Sequence, residues 1–145
     1  MSDFAGHFIS GVAVGAISGL TTVFVCDFMP FYQYALPVFA GIVGALTPDM
    51  DIKSKSSQVL YALFAIAAIY LFCIDRTDYA FYTMLYAIIP QFFKHRGFIH
   101  SIIFGLISTA GIFGIMTYNI GNEKLSLLVA ASYFVGFLVH LLLDD

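Results

Sequence analysis

Residues 125–143 read LSLLVAASYFVGFLVHLLL. The segment holds one histidine, His140, and no lysine, arginine, aspartate or glutamate. A helix that crosses the hydrocarbon core of a bilayer needs about 20 apolar residues, with a range near 17–25. This stretch is therefore expected to be a membrane span. Five further apolar stretches lie upstream, at about 4–26, 31–47, 57–74, 79–93 and 98–118. The first and fifth are long enough to span, and the second and third lie near the lower limit. The fourth is short and contains Pro90, so it is expected to kink or to insert only partly. Six helices, or five spans plus a half-helix, follow from this pattern.

The rest of the composition agrees. Hydrophobic residues make up 61% of the chain and charged residues only 10%, with a mean hydropathy of +0.93. Soluble domains carry about 25% charged residues, so lipid must solvate much of this surface. The expectation is an all-α, polytopic membrane helix bundle forming a single integral membrane domain over residues 1–145. The net charge of −3 is small and scattered, which argues against a nucleic-acid partner and leaves the lipid bilayer as the principal one. Met1-Ser2-Asp3-Phe4 has no positive leader, and glycines interrupt the first apolar stretch. The first helix is thus expected to remain in the mature protein.

Short polar turns separate the stretches, around Pro30, Pro48, residues 75–78, Gly97 and residues 119–124. Gly11, Gly15 and Gly19 recur every four residues, a small-residue stripe that permits close helix approach in lipid. It predicts that the first helix sits inside the bundle. With six spans, the N-terminal side of the membrane receives Lys53, Lys55, Lys94 and Arg96, and the other side only Arg76 and Lys124. The positive-inside rule then places both termini in the cytoplasm.

Ionisable residues at a membrane helix are functional candidates because lipid penalises them. The four histidines are His7, His95, His100 and His140. In the six-span arrangement all four fall on the same side as Asp49, Asp51 and Asp144, although no histidine was used to orient the chain. His140 and Asp144 are spaced i, i+4, so a helix places them on one face. Gly97 can break the chain between His95 and His100 and let their rings converge. Asp49 and Asp51 follow Pro48 in a turn. Imidazole with carboxylate suits zinc foremost, and also manganese, iron or magnesium, as one or two ions. Each element also has a plainer reading. His7 can be an interhelical hydrogen-bond partner, Asp49 and Asp51 can be turn and cap residues, and His95 can belong to a basic loop facing headgroups.

The order His7, Thr47-Pro48-Asp49-Met50-Asp51, His95-Arg96-Gly97-Phe98-Ile99-His100-Ser101 and His140-Leu141-Leu142-Leu143-Asp144 resembles the YdjM-like family of inner-membrane, metal-dependent hydrolases of the LexA-regulated type. The resemblance runs over nearly the whole chain, and the His-Arg-Gly segment is its most specific part. Ile99 departs from the family pattern, in which that position is usually threonine. The resemblance implies a cytoplasmic-membrane location and a hydrolytic reaction without naming a substrate. On this reading His7, Asp49, Asp51, His95, His100, His140 and Asp144 are the metal ligands. A carboxylate of Asp49 or Asp51 bridges two ions or acts as base, and Arg96 pairs with a phosphate. With lysines nearby to attract anionic headgroups, a phospholipid or other amphiphilic phosphoester is the expected substrate class.

Two rival functions are weaker. A metal-stabilised scaffold or partner-binding protein would use the same ligands with no open coordination position. A transporter would need ionisable groups at mid-membrane depth, where this sequence has almost none. Cys26 and Cys73 read as free thiols in apolar surroundings, and the plentiful phenylalanines and tyrosines as lipid-facing and interfacial side chains.

Overall fold

A computed structural model describes residues 4–26, 28–51, 54–93 and 97–144, with Asp51 described in its backbone only. Six α-helices account for most of these residues, joined by short 3₁₀ turns and with no strand among the described residues. They are α1 (Phe4–Val25), α2 (Phe31–Leu46), α3 (Lys55–Cys73), α4 (Thr77–Ile88), α5 (Ile102–Ile120) and α6 (Glu123–Asp144). Four of them, α1, α3, α5 and α6, are long and apolar enough to cross a membrane. At 1.5 Å per residue α2 is about 24 Å long and α4 about 18 Å, short of a hydrocarbon core of about 30 Å.

Local chemistry sets the helix ends. Pro30 precedes α2. At the start of α3 the Ser54 hydroxyl accepts from the Ser57 N–H, and Ser57 Oγ accepts from the Ser54 N–H, both at 3.0 Å, a reciprocal capping box. α4 stops at Ile88, earlier than its apolar stretch, because Pro90 lies in the 3₁₀ turn Ile89–Phe92 that follows. α5 starts at Ile102, four residues later than the apolarity suggests. Ser101 caps it by accepting from the Phe104 N–H, which leaves Phe98–His100 as a separate 3₁₀ turn. Gly121 closes α5 with a φ of 68°, a left-handed conformation that glycine adopts without strain. Asn122 then accepts from the Leu125 N–H to open α6.

The central element is α6, which packs on α1, α2 and α5 and buries Ser132, Tyr133, Gly136, Phe137 and His140. The expectation that α1 lies inside the bundle is corrected. One face of α1 packs on α2 and α6, while Ile9, Ile17, Leu20, Val23 and Phe24 point outward. The glycine stripe does what its spacing suggests on the inner face. A Cβ on Gly15 would lie 2.5 Å from the Val38 carbonyl oxygen, and one on Gly11 2.9 Å from the Ile42 Cα.

A second glycine seam joins α2 to α6. A Cβ on Gly44 would overlap the Tyr133 carbonyl, and a Cβ on Gly136 the Gly41 carbonyl. Ser132 donates across this seam to the carbonyl of Pro37 at 2.7 Å, the kind of interhelical bond that helps hold helices together in lipid. The α3–α4 pair packs on itself and meets the remaining helices mainly through the turns at one end. That end gathers the start of α1, the 3₁₀ turn Thr47–Asp51 after α2, the turn before α5 and the end of α6.

Candidate metal centre

Asp144 ends α6 one helical turn beyond His140, so both side chains project from one face at the end of the bundle. Opposite them, Pro48 tightens the end of α2 into the 3₁₀ turn Thr47–Asp51, which carries Asp49 to the same place. His100 arrives in its own 3₁₀ turn. A helix begun at residue 98 would have carried its ring along α5. Ile99, the position where the resemblance departs, is fully buried and packs with Phe104 and Phe137. An apolar side chain there anchors the turn beneath His100.

Asp49, His100, His140 and Asp144 each place a ligand atom within 4.8 Å of the others, and this cluster could hold a metal ion. His140 Nε2 lies 3.6 Å from Asp49 Oδ1 and 3.7 Å from Asp144 Oδ2, and His100 Nε2 lies 3.9 Å from Asp144 Oδ2. These separations exceed those of hydrogen bonds, about 2.7–3.2 Å. They are near the edge of a coordination tetrahedron, about 3.4 Å for bonds of about 2.1 Å.

His7 adjoins the same group. Its ring stacks on that of His140 with centroids 3.9 Å apart, and its Nε2 is 3.5 Å from Asp144 Oδ1. Asp144 thus turns one oxygen toward His7 and the other toward His100 and His140.

The orientation of His140 is fixed from behind. Its Nδ1 is 2.6 Å from the carbonyl oxygen of Ala45. A carbonyl can only accept, so Nδ1 carries the proton and donates. In a neutral ring the Nε2 lone pair then points at the cluster. Nε2 is buried and has no hydrogen-bond partner among the described residues. A lone pair aimed at two carboxylates is unfavourable unless a cation, a metal ion or a proton on Nε2, lies between them. Metal-ligating histidines commonly donate their second N–H to a carbonyl in this way.

Charge points the same way. Two ionised carboxylates within 4.8 Å repel by about 3.5 kcal/mol or more at an effective dielectric of about 20. A divalent cation balances their combined charge. The donor set of two imidazoles and two carboxylates fits such an ion.

The family model of the YdjM inner membrane protein matches residues 1–145. The chain belongs to that family. This fits the four apolar helices and places the protein among inner membrane proteins. No curated protein and no solved structure matches the chain.

Of the residues singled out from sequence, His7, Asp49, His100, His140 and Asp144 meet in one place. His95 and Arg96 lie outside the described residues, as does the side chain of Asp51. The Ala45 carbonyl went unnoticed in the sequence, because any residue supplies a carbonyl. Only the glycines at 41, 44 and 136 hint that α2 and α6 come close enough to use it. Cys26 is buried, and Cys73 is an exposed free thiol.

Proposed function

We propose that the protein is a metal-dependent hydrolase whose site lies at the cytoplasmic face of a single inner-membrane domain over residues 1–145, with both termini on that side. Its substrate is a phospholipid or another amphiphilic phosphoester. The observation that carries the reading is the His140 ring, held through Nδ1 so that its buried Nε2 faces two carboxylates.

Asp49, His100, His140 and Asp144 hold the ion, with His95 as a further ligand and Asp51 as either a ligand or the base. Zinc is the first choice, and manganese, iron and magnesium also suit these donors. Such an ion, when bound, supplies Lewis acidity that polarises a phosphoryl oxygen and lowers the pKa of water. The chain does the rest. Ala45 fixes the His140 ring, and Asp51, where it is left free of the ion, takes a proton from the attacking water. Arg96 pairs with the phosphate. Lys53, Lys55 and Lys94 draw anionic headgroups to this face. If a second ion binds, Asp144 has an oxygen toward each side and His7 stands on the far side.

One observation favours a second reading. Four protein donors close a tetrahedral zinc ion completely, the mark of a structural site. A metal-stabilised scaffold or partner-binding protein would then be the role. A hydrolytic site keeps a position for water, either with one of the four donors off the ion or with a five- or six-coordinate ion.

X-ray absorption of the metal-loaded protein, beside hydrolysis of phospholipid and of a soluble phosphodiester, separates the two. The hydrolase reading predicts a water oxygen among the ion's ligands and turnover lost in Asp49→Ala. Four coordination from protein donors alone, with no turnover, would reject it in favour of the scaffold.

A further inference from the structure

Away from the metal cluster, the α3–α4 pair does not close onto α5 and α6. A cavity of about 760 Å³ remains between them. Two hydroxyl struts cross it. Tyr79 donates to Asn119 Oδ1 at 2.7 Å toward the far end, and the hydroxyls of Tyr86 and Tyr133 meet at 3.0 Å toward the site end. Seven residues of α4 separate the two struts, about 10 Å of helix.

Between the struts the wall is apolar, from Val43, Phe64, Ile112, Ile115 and Met116, and among the described residues no charged one lines the cavity. Packed interiors leave few voids larger than a water molecule, and apolar cavities stay dry. This void lies against α5, a helix long enough to span, and beside it Phe81 of α4 and Ile115 and Tyr118 of α5 face outward. At that depth the abundant apolar material is lipid hydrocarbon.

We infer that the groove between α4 and α5 receives the acyl chain of a bilayer phospholipid. Its size fits, since ligand pockets run to about 300–1,000 Å³. So does its position. Tyr133 lines the groove two helical turns before His140 on α6, and Val43 does so six residues before Asp49. An amphiphile whose tail lies here has its polar end toward the cluster. That this chain is the substrate's own tail rests on the hydrolase reading; that an acyl chain binds does not.

The glycines of α5 supply the test. A Cβ on Gly114, which lines the groove, meets nothing within 4 Å, and neither does one on Gly111, which is not among the groove-lining residues. Gly114→Phe therefore adds a large side chain at the groove wall without striking a backbone, and Gly111→Leu is the matched control.

The full chain is reconstituted in vesicles of phosphatidylethanolamine and phosphatidylglycerol containing a phospholipid with a diazirine in its acyl chain. After illumination the labelled residues are mapped by mass spectrometry. Residues between Tyr79 and Tyr86 and between Ile112 and Asn119 should be labelled well above outward-facing Ile17 and Leu127. Gly114→Phe should bring them down to that background, and Gly111→Leu should leave them high. Uniform labelling, or groove labelling unchanged by Gly114→Phe, would overturn the inference. So would an unlabelled groove in a dimer that Gly114→Phe separates, which would assign the groove to a second copy. His140→Ala should label as the wild type does, so this outcome is read independently of metal binding and hydrolysis.

Discussion

The two sides of α6 are built in opposite ways from the same small residue. Toward α1 and α2, glycines at 11, 15, 41, 44 and 136 bring backbone against backbone, with no room for a methyl group. Toward α4, Gly114 borders open space, and two tyrosine struts span a void. The closed side is where the Ala45 carbonyl reaches His140 and where α1 delivers His7. Holding ligand atoms in place needs rigid, closely packed helices, whereas admitting a lipid tail needs a gap. Glycine serves the first use by lacking a side chain that would separate helices, and the second by leaving space unfilled.

The contrast can be broken by mutation. The largest effect is expected on the closed side. Gly136→Ala drives a methyl into the Gly41 carbonyl and should destabilise the protein by about 3 kcal/mol, the upper end of ordinary overpacking. Because the seam also sets the reach of Ala45, metal retention should fall with it. Thermal unfolding in detergent with metal assayed in parallel is the check. A stable Gly136→Ala that keeps its metal would mean the seam does not position the site.

The smallest effect is expected on the open side. Gly111→Ala meets no neighbour and should raise stability by up to about 1 kcal/mol through helix propensity. A loss of similar size to that of Gly136→Ala would erase the distinction between the two sides.

Much of this was legible in the sequence. Apolar stretches gave six helices because lipid demands uninterrupted apolarity, and breakers such as Pro30, Pro48 and Gly97 marked the turns. His7, Asp49, His100, His140 and Asp144 could be grouped because an up-and-down bundle returns alternate helix ends to one side. Other features were hidden. Phe98–His100 looked like the start of α5, since an apolar run does not reveal a 3₁₀ turn ended by a Ser101 cap. The central place of α6 was obscured because α1 carries the more regular glycine stripe, while the α2–α6 seam draws on glycines from two separate helices. The groove had no signature at all. Tyr79, Tyr86 and Tyr133 read as interfacial aromatics until their hydroxyl partners were known.

The most direct test is the metal content of the purified protein, measured by elemental mass spectrometry beside His140→Ala and Asp49→Ala. A metal site built on these two residues should give stoichiometric divalent metal in the wild type and its loss in both variants, with the helical circular dichroism retained. A wild type that holds no metal after reconstitution with zinc, manganese and magnesium would contradict it, and so would variants that keep theirs.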